Sequence, residues 1–361
     1  MVMMKKILQV YPQMNNAGTE MVIMNLYRNI DRSKVSFDFL TQKPGSIDAA
    51  IRAMGGKIYY IPNTGKSRYY KELLKFFKEH SEYTAIHTHT HAEMGLVMKA
   101  AKTSGIKHRI AHSHNSREDL PVIFKLYKRI TGIPIERNAN HFFACSELAA
   151  KWLFPSKWRE CKILENAIEL ERFVFDNNKR MQVRNSFGFD ENDKIICHVG
   201  RFAEQKNHKR IIELLNKMTK EDKHIKAILV GEGPLFKEIQ AMSKSENIMF
   251  LGSRTDVPEI LCAADMFLFP SLHEGLGIVL IEAQASGLKC VASDAVPPEA
   301  DIGTGLLTRM SLKENDSEWI KKIKKSFEKS DRSKLSKAAL NSKYNIKTIG
   351  KYIEEYYLGL D

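Results

Sequence analysis

The sequence predicts two doubly wound α/β domains, and three observations carry that reading. Short apolar runs alternate with longer helical patterns from end to end. At 361 residues the chain is long enough for two domains, each burying a full core. Between Glu165 and Lys194 the rhythm breaks: ERFVFDNNKRMQVRNSFGFDENDK is polar, carries two adjacent asparagines and lacks a strand pattern, so the boundary is expected there.

Taken in order, the first strands are expected at Ile7–Tyr11, Ser36–Leu40, Lys57–Ile61, Ala85–His89, His108–His112 and His141–Ala144. A second series follows at Lys194–Val199, Lys226–Val230, Ile248–Leu251, Met266–Phe269 and Lys289–Ala292. Most are short and largely apolar, as strands buried on both faces are. Helical spacing separates them, for example over Glu20–Ile30, Tyr70–Glu79, Lys209–Met218 and Leu235–Met242. From Lys313 the chain is rich in lysine and serine, yet Trp319, Ile320, Ile323 and Phe327 keep helical spacing. A last helix, around Ile349–Leu358, has apolar and aromatic residues enough to dock. Open parallel sheets bind ligands beyond the carboxyl ends of their strands, so a cleft between the domains is the natural site.

Composition narrows the class. Hydrophobic residues make up 43% and charged residues 27%, as in ordinary globular proteins. No apolar run approaches the roughly 20 residues that span a bilayer. The opening MVMMKKILQVY reads as a first buried strand rather than a signal peptide. Five scattered cysteines, mostly in apolar runs and without zinc spacing, suggest reduced thiols and a cytoplasmic protein. A net charge of +13 calls for an anionic partner, and nucleic acid, a membrane surface and a phosphorylated substrate all qualify.

The most informative stretch is FPSLHEGLGIVLIEAQASG, Phe269–Gly287. Glu274 and Glu282 flank a glycine-rich turn and the start of an apolar helix. Gly275 and Gly277 allow a sharp turn and close approach of a ligand. The helix expected from about Ile278 offers unpaired N–H groups to an anion. Glu282 sits among Val279, Leu280, Ile281, Ala283 and Ala285, where a carboxylate needs hydrogen-bond donors, and sugar hydroxyls suit it. Alternatively Glu274 is a loop carboxylate and Glu282 pairs within its helix.

After the strand Lys194–Val199 comes GRFAEQKN, Gly200–Asn207, which puts Arg201 and Lys206 at a strand end where both can reach a pyrophosphate. Further on, VGEGP (Val230–Pro234) and LGSRTDVPEIL (Leu251–Leu261) are strand ends and turns. Backbone around Ser253–Thr255, with Arg254 between them, is placed to read a base. NNAGTE, Asn15–Glu20, opens a helix after the first strand and can set Gly18 near a phosphate, although it is no G-x-G-x-x-G fingerprint. Histidines cluster in IHTHTH (Ile86–His91) and AHSHN (Ala111–Asn115). Alternation puts them on one strand face. Apart from Glu93 no nearby group completes a metal set, so the runs are read as strand ends with His112 or His114 facing a sugar, and no metal is expected.

In this order the motifs resemble glycosyltransferase family 4, the retaining GT-B transferases, over nearly the whole chain. AGTE, AHSHN, FACSELAAKWL (Phe143–Leu153), ENAIELERF (Glu165–Phe173), GRFAEQKN, VGEGP and PSLHEGLGIVLIEAQASG carry the likeness. It is strongest to bacterial capsule and exopolysaccharide transferases. The resemblance implies a GT-B fold: an acceptor domain over 1–170, a donor domain over 171–344, and 345–361 packing back on the first. It implies that Arg201 and Lys206 hold the donor diphosphate. Glu274, with Gly275, Leu276, Gly277 and Ile278 beside it, would contact the donor sugar, and Glu282 the ribose. Gly18 would lie against the phosphates, Arg254 in the donor site, and His114 near the anomeric carbon. His114, Glu274, Arg201 and Lys206 are the catalytic candidates.

The family implies a nucleotide-sugar donor, UDP-linked by habit, a glycan or lipid-linked acceptor, and no metal for chemistry. Two positions depart from its pattern. Ala17 stands where many members have glycine, and Ala167-Ile168-Glu169 replaces a common Gly-Ile-Asp. GKSRYYKELLKFFKEH (Gly65–His80) and REDLPVIFKLYKRITG (Arg117–Gly132) are basic and amphipathic, suited to the anionic inner face of the plasma membrane or to packing on their own sheet. Three rivals stand beside the transferase: a sugar-nucleotide epimerase of the same architecture, a non-enzymatic polyanion binder, and a weaker glycogen-phosphorylase-like or synthase-like role for which no lysine-cofactor pattern stands out. The second lacks any nucleic-acid motif, and no nucleic-acid partner is expected.

Overall fold

A computed structural model describes residues 4–15, 18–90, 93–114 and 132–361. His91, Ala17 and all but Gly132 of the second basic stretch lie outside the described residues. The chain divides into two compact units, one of residues Met1–Ile168 with Ile346–Asp361, the other of Glu169–Asn345.

The first unit holds strands β1 (Lys5–Val10), β2 (Val35–Thr41), β3 (Ile58–Tyr60), β4 (Ala85–Thr88), β5 (His108–Ser113), β6 (His141–Ala144) and β7 (Lys162–Ile163). They form one parallel sheet in the order β3-β2-β1-β4-β5-β6-β7. Alternate residues of each strand feed opposite faces. Ile7, Phe37 and Phe39 pack on one face with Ile346, Ile353 and Tyr357 of the last helix, Ile346–Leu358. Leu8, Val10 and Leu40 pack on the other with Leu73, Phe77 and Val97 from helices Lys66–Glu79 and Met94–Thr103.

The second unit holds β8 (Lys194–Val199), β9 (Ile225–Val230), β10 (Ile248–Phe250), β11 (Met266–Phe269), β12 (Lys289–Ser293) and β13 (Leu307–Met310). Its sheet runs β10-β9-β8-β11-β12-β13, again parallel. Both units are Rossmann-like. In each the strand order reverses beside the first strand, between β1 and β4 and between β8 and β11. Such a switch point opens a crevice at the carboxyl ends of the strands.

Two features differ from the sequence reading, and a third decides between its alternatives. β7 and β13 are edge strands with mostly half-exposed or exposed residues, so they carry no apolar run. The polar stretch after Glu165 is no open linker, because it forms the helix Asn177–Ser186. Its Arg180 and Arg184 donate to the carbonyls of Ala263 and neighbouring residues, and both pair with Asp265. Their polarity thus caps the carboxyl end of helix Val257–Ala263. Finally, the basic helix Lys66–Glu79 turns Tyr69, Leu73, Phe76 and Phe77 into the core. It leaves Lys66, Arg68, Lys71, Lys75 and Lys78 exposed, so its apolar face is spent on its own sheet.

Candidate active site

Two strand ends of the second unit build the site. Past β8, Asn207 adopts a left-handed φ of 53° and donates its amide to the Pro270 carbonyl at 3.0 Å. Gln205 accepts from the Leu272 N–H at 2.8 Å and donates to the His273 carbonyl at 2.9 Å. These bonds clamp the β8 loop onto the β11 loop. Within the clamp Lys206 Nζ stands 2.6 Å from Glu274 Oε1, with the two side chains only 16% and 6% exposed. The ammonium also lies 4.7 Å from the centre of the Phe269 ring, a cation–π contact. Two residues singled out separately in the sequence therefore form one buried ion pair. Gln205 and Asn207 had no signal of their own, since each works through backbone partners more than sixty residues away.

Glycines set the close approaches. A Cβ on Gly200 would come within 3.0 Å of His198 Nε2 and 3.4 Å of the Lys206 stem. Gly231, with a φ of +134°, would drive a Cβ to 2.1 Å from the Gly200 carbonyl oxygen. The turn VGEGP thus packs directly on the phosphate-side loop, which a turn glycine alone does not imply. Gly277 has a φ of 79° and starts the helix Ile278–Ala285, whose first N–H groups have no helical acceptor. Gly275 differs from expectation, because its φ is not positive and a Cβ there would meet nothing within 4 Å. Open space is what it contributes.

Arg201 is exposed, and its guanidinium makes no hydrogen bond or ion pair with any described residue. Arg254 instead spends its guanidinium on Asp256, with bonds of 2.8 and 2.6 Å. Glu282 is half-buried, and its carboxylate accepts no hydrogen bond from any described residue. Burial pushes its carboxyl up to about 7, and the positive charge of Arg172 only partly opposes this. Beneath Lys206 lie the buried His198 and His208. Burial first, and the positive Lys206 after it, bring His208 down to about 4, so it adds no charge near neutrality.

In the first unit Gly18 begins the helix Gly18–Asn29 after β1 and is exposed. Gln9, His87, His89, His112 and His114 form a buried polar seam at the carboxyl end of β1, β4 and β5. His87 Nδ1 lies 2.5 Å from the Tyr357 hydroxyl, and His87 Nε2 lies 3.2 Å from His112 Nδ1. His89 meets Gln9 at 2.8 Å and His114 at 2.7 Å. The ligand atoms of His87, His89 and His112 fall within 4.8 Å of one another. Hydrogen-bond partners already occupy both nitrogens of His87 and His89, and among the described residues no carboxylate joins the three to offset a cation's charge. Glu93 is held by Gln42 and Asn63.

Comparison with known proteins matches residues 179–342 to the family model Glycosyl transferases group 1. EpsF of Bacillus subtilis (strain 168), which carries a glycosyltransferase name, is 35% identical over 337 residues, covering 88% of this chain and 87% of its own. The UDP-Gal:alpha-D-GlcNAc-diphosphoundecaprenol alpha-1,3-galactosyltransferase of Escherichia coli is 24% identical, covering 77% of this chain and 76% of its own. The capsular polysaccharide biosynthesis glycosyltransferase CapH of Staphylococcus aureus is 25% identical, covering 81% and 82%. The crystal structure of Anabaena Alr3699/HepE in complex with UDP superposes with a TM-score of 0.80 at 18% identity, covering 98% of this chain and 99% of that one. That likeness gives the fold as GT-B.

Proposed function

The chain belongs to the group 1 glycosyl transferases, and on that premise we propose that it moves a hexose or N-acetylhexosamine from a UDP-sugar to a glycan or lipid-linked acceptor in capsule or exopolysaccharide assembly. The buried Lys206–Glu274 pair at the switch point of the second sheet is the observation that carries this reading. An ammonium has three donors, so Lys206 can keep Glu274 and still meet a phosphate. Arg201 supplies a forked donor beside it, and the first N–H groups of helix Ile278–Ala285 add a third anion-binding element. Glu274 then accepts from a hydroxyl of the transferred sugar, and Glu282, short of donors, from the ribose.

In this account the bond from the anomeric carbon to the phosphate breaks as the acceptor oxygen adds on the same face. The departing phosphate takes the acceptor proton, so configuration is retained without a side-chain base. Arg201 and Lys206 stabilise the charge that develops on the leaving diphosphate, the task a metal performs elsewhere. Names among the relatives support the donor and acceptor classes: the Escherichia coli enzyme is named for UDP-Gal and a diphosphoundecaprenol acceptor, and CapH for capsular polysaccharide.

No helix among the described residues is long and apolar enough to cross a membrane. The exposed lysines of Lys66–Glu79 support binding at an anionic inner membrane face by charge rather than insertion. Mass spectrometry of products from a panel of UDP-sugars, with and without an undecaprenyl-diphosphate-linked sugar, tests the function. A product heavier by one sugar, formed only with acceptor, is expected. Conversion of the UDP-sugar alone would identify an epimerase, and no turnover of any donor would remove the transferase reading.

A further inference from the structure

The short turn Glu204–Lys206 reaches the loop after β11 with two adjacent side chains, and each does a different thing there. Lys206 Nζ takes Glu274 Oε1 at 2.6 Å. Gln205 Nε2 donates to the His273 carbonyl at 2.9 Å and stands 3.5 Å from Glu274 Oε2. Both of these neighbours only accept, so the amide nitrogen rather than its oxygen must face them. The backbone completes the hold, because the Leu272 N–H donates to the Gln205 carbonyl at 2.8 Å. Upstream the loop is fixed as well. Asn207 donates to the Pro270 carbonyl at 3.0 Å, and Ser293 Oγ to the Ser271 carbonyl at 2.5 Å. Glu274 thus stands on a fixed backbone with an unequal carboxylate. Oε1 has a short charged bond, while Oε2 has a contact at the outer limit of a hydrogen bond. The side chain is 6% exposed, and a carboxylate oxygen kept from water without donors is costly. A hydroxyl brought by a ligand supplies what Oε2 lacks.

We propose that Gln205 positions Glu274 for the transferred sugar: by holding the His273 carbonyl it keeps Oε1 on Lys206 and leaves Oε2 for a sugar hydroxyl. The two parts of the donor are then read separately. Arg201, Lys206 and the start of helix Ile278–Ala285 serve the diphosphate, and Gln205 matters only when a sugar is attached. A neutral amide suits this task, since it directs the carboxylate without competing for the Lys206 ammonium. Gln205 is a positioning residue, because it acts through Glu274. The proposal rests on the transferase reading for the ligand and on the geometry of the second unit for the residue.

Titration calorimetry of the full chain with UDP, UDP-glucose, UDP-galactose and their N-acetylhexosamine counterparts tests it, in the parent and in Gln205→Met. Methionine keeps the length of glutamine and removes its donors. We expect the variant to bind UDP within about 2-fold of the parent and the preferred UDP-sugar about 10-fold more weakly. A merely loosened loop would weaken UDP as well, because Lys206 stands on the same turn. Equal losses for both ligands would therefore overturn the proposal, and so would unchanged affinity for both. Gln205→Asn keeps an amide one methylene short of the His273 carbonyl and should show the same split. Its result decides the matter if Gln205→Met does not fold. A parent that binds no nucleotide ends the transferase reading itself, whereas a parent that binds and a variant without the split end this proposal alone.

Discussion

A carboxyl held near 7 makes stability run against pH, and Glu282 is such a group. Its folded pKa lies above the ordinary value of 4.5, so the fold prefers the protonated form. The stability it contributes is fully present below about pH 4.5 and is lost as pH rises through about 7, some 2–3 kcal/mol in all. Glu282→Gln should remove this slope, so urea midpoints of variant and parent should diverge, with the variant gaining as pH rises from 5 to 8. A parallel dependence in both proteins would contradict it. Lys206→Met leaves Glu274 charged and buried with no opposite charge and only a 3.5 Å contact from Gln205 Nε2, which should cost about 3 kcal/mol or more. Adding Glu274→Gln should recover most of that stability and none of the activity, which separates the pair's structural role from its chemistry. Denaturation and turnover of the two variants check this. The sequence made Glu274, Glu282, Arg201 and Lys206 legible as carriers of chemistry, because carboxylates and cations beside glycine turns have few other uses. It did not make the ion pair legible, because Lys206 and Glu274 are 68 residues apart and each by itself suits a ligand.

At the scale of elements the turns decide whether the site forms. Gly231→Ala would place a Cβ 2.1 Å from a backbone oxygen at a φ of +134°, and neither can yield cheaply. We expect a loss of about 2 kcal/mol or more, with weakened nucleotide binding from displacement of the Gly200–Lys206 loop. Gly275→Ala is the contrast, since its Cβ meets nothing. Its stability should stay within about 0.5 kcal/mol, so any loss of nucleotide binding would come from filled space. Calorimetric unfolding with and without UDP checks both. Central strands such as β1, β8 and β11 were readable because burial on both faces demands apolar runs. Edge strands β7 and β13 were not, because half-exposed positions impose no such demand. The helix Asn177–Ser186 was hidden for a related reason: its arginines serve carbonyls rather than a core.

The chain closes its first unit with its last residues. Ile346, Ile349, Ile353 and Tyr357 sit in the core with Tyr27 and Phe37, and Gly350 lets the helix pass the Asn29 carbonyl, which a Cβ would meet at 2.7 Å. Burial of such side chains contributes about 1.5–3 kcal/mol each, so four together rival the roughly 5–15 kcal/mol that a whole domain retains. Removing Ile346–Asp361 should therefore abolish the cooperative unfolding transition of the first unit, and a retained transition would contradict the packing. The apolar pattern of this helix was legible, whereas its partner lay some three hundred residues away. On the proposed function, the second unit binds a nucleotide sugar through Arg201, Lys206 and the start of helix Ile278–Ala285. Thermal unfolding of the full chain with UDP and a panel of UDP-sugars, beside Arg201→Ala, tests it most directly. A ligand at 100 times its Kd adds about 2.7 kcal/mol to the folded state, which raises the midpoint measurably. We predict a rise with UDP, a larger one with a single UDP-sugar, and neither in Arg201→Ala. A midpoint unmoved by every nucleotide, or moved equally in the variant, would contradict the claim.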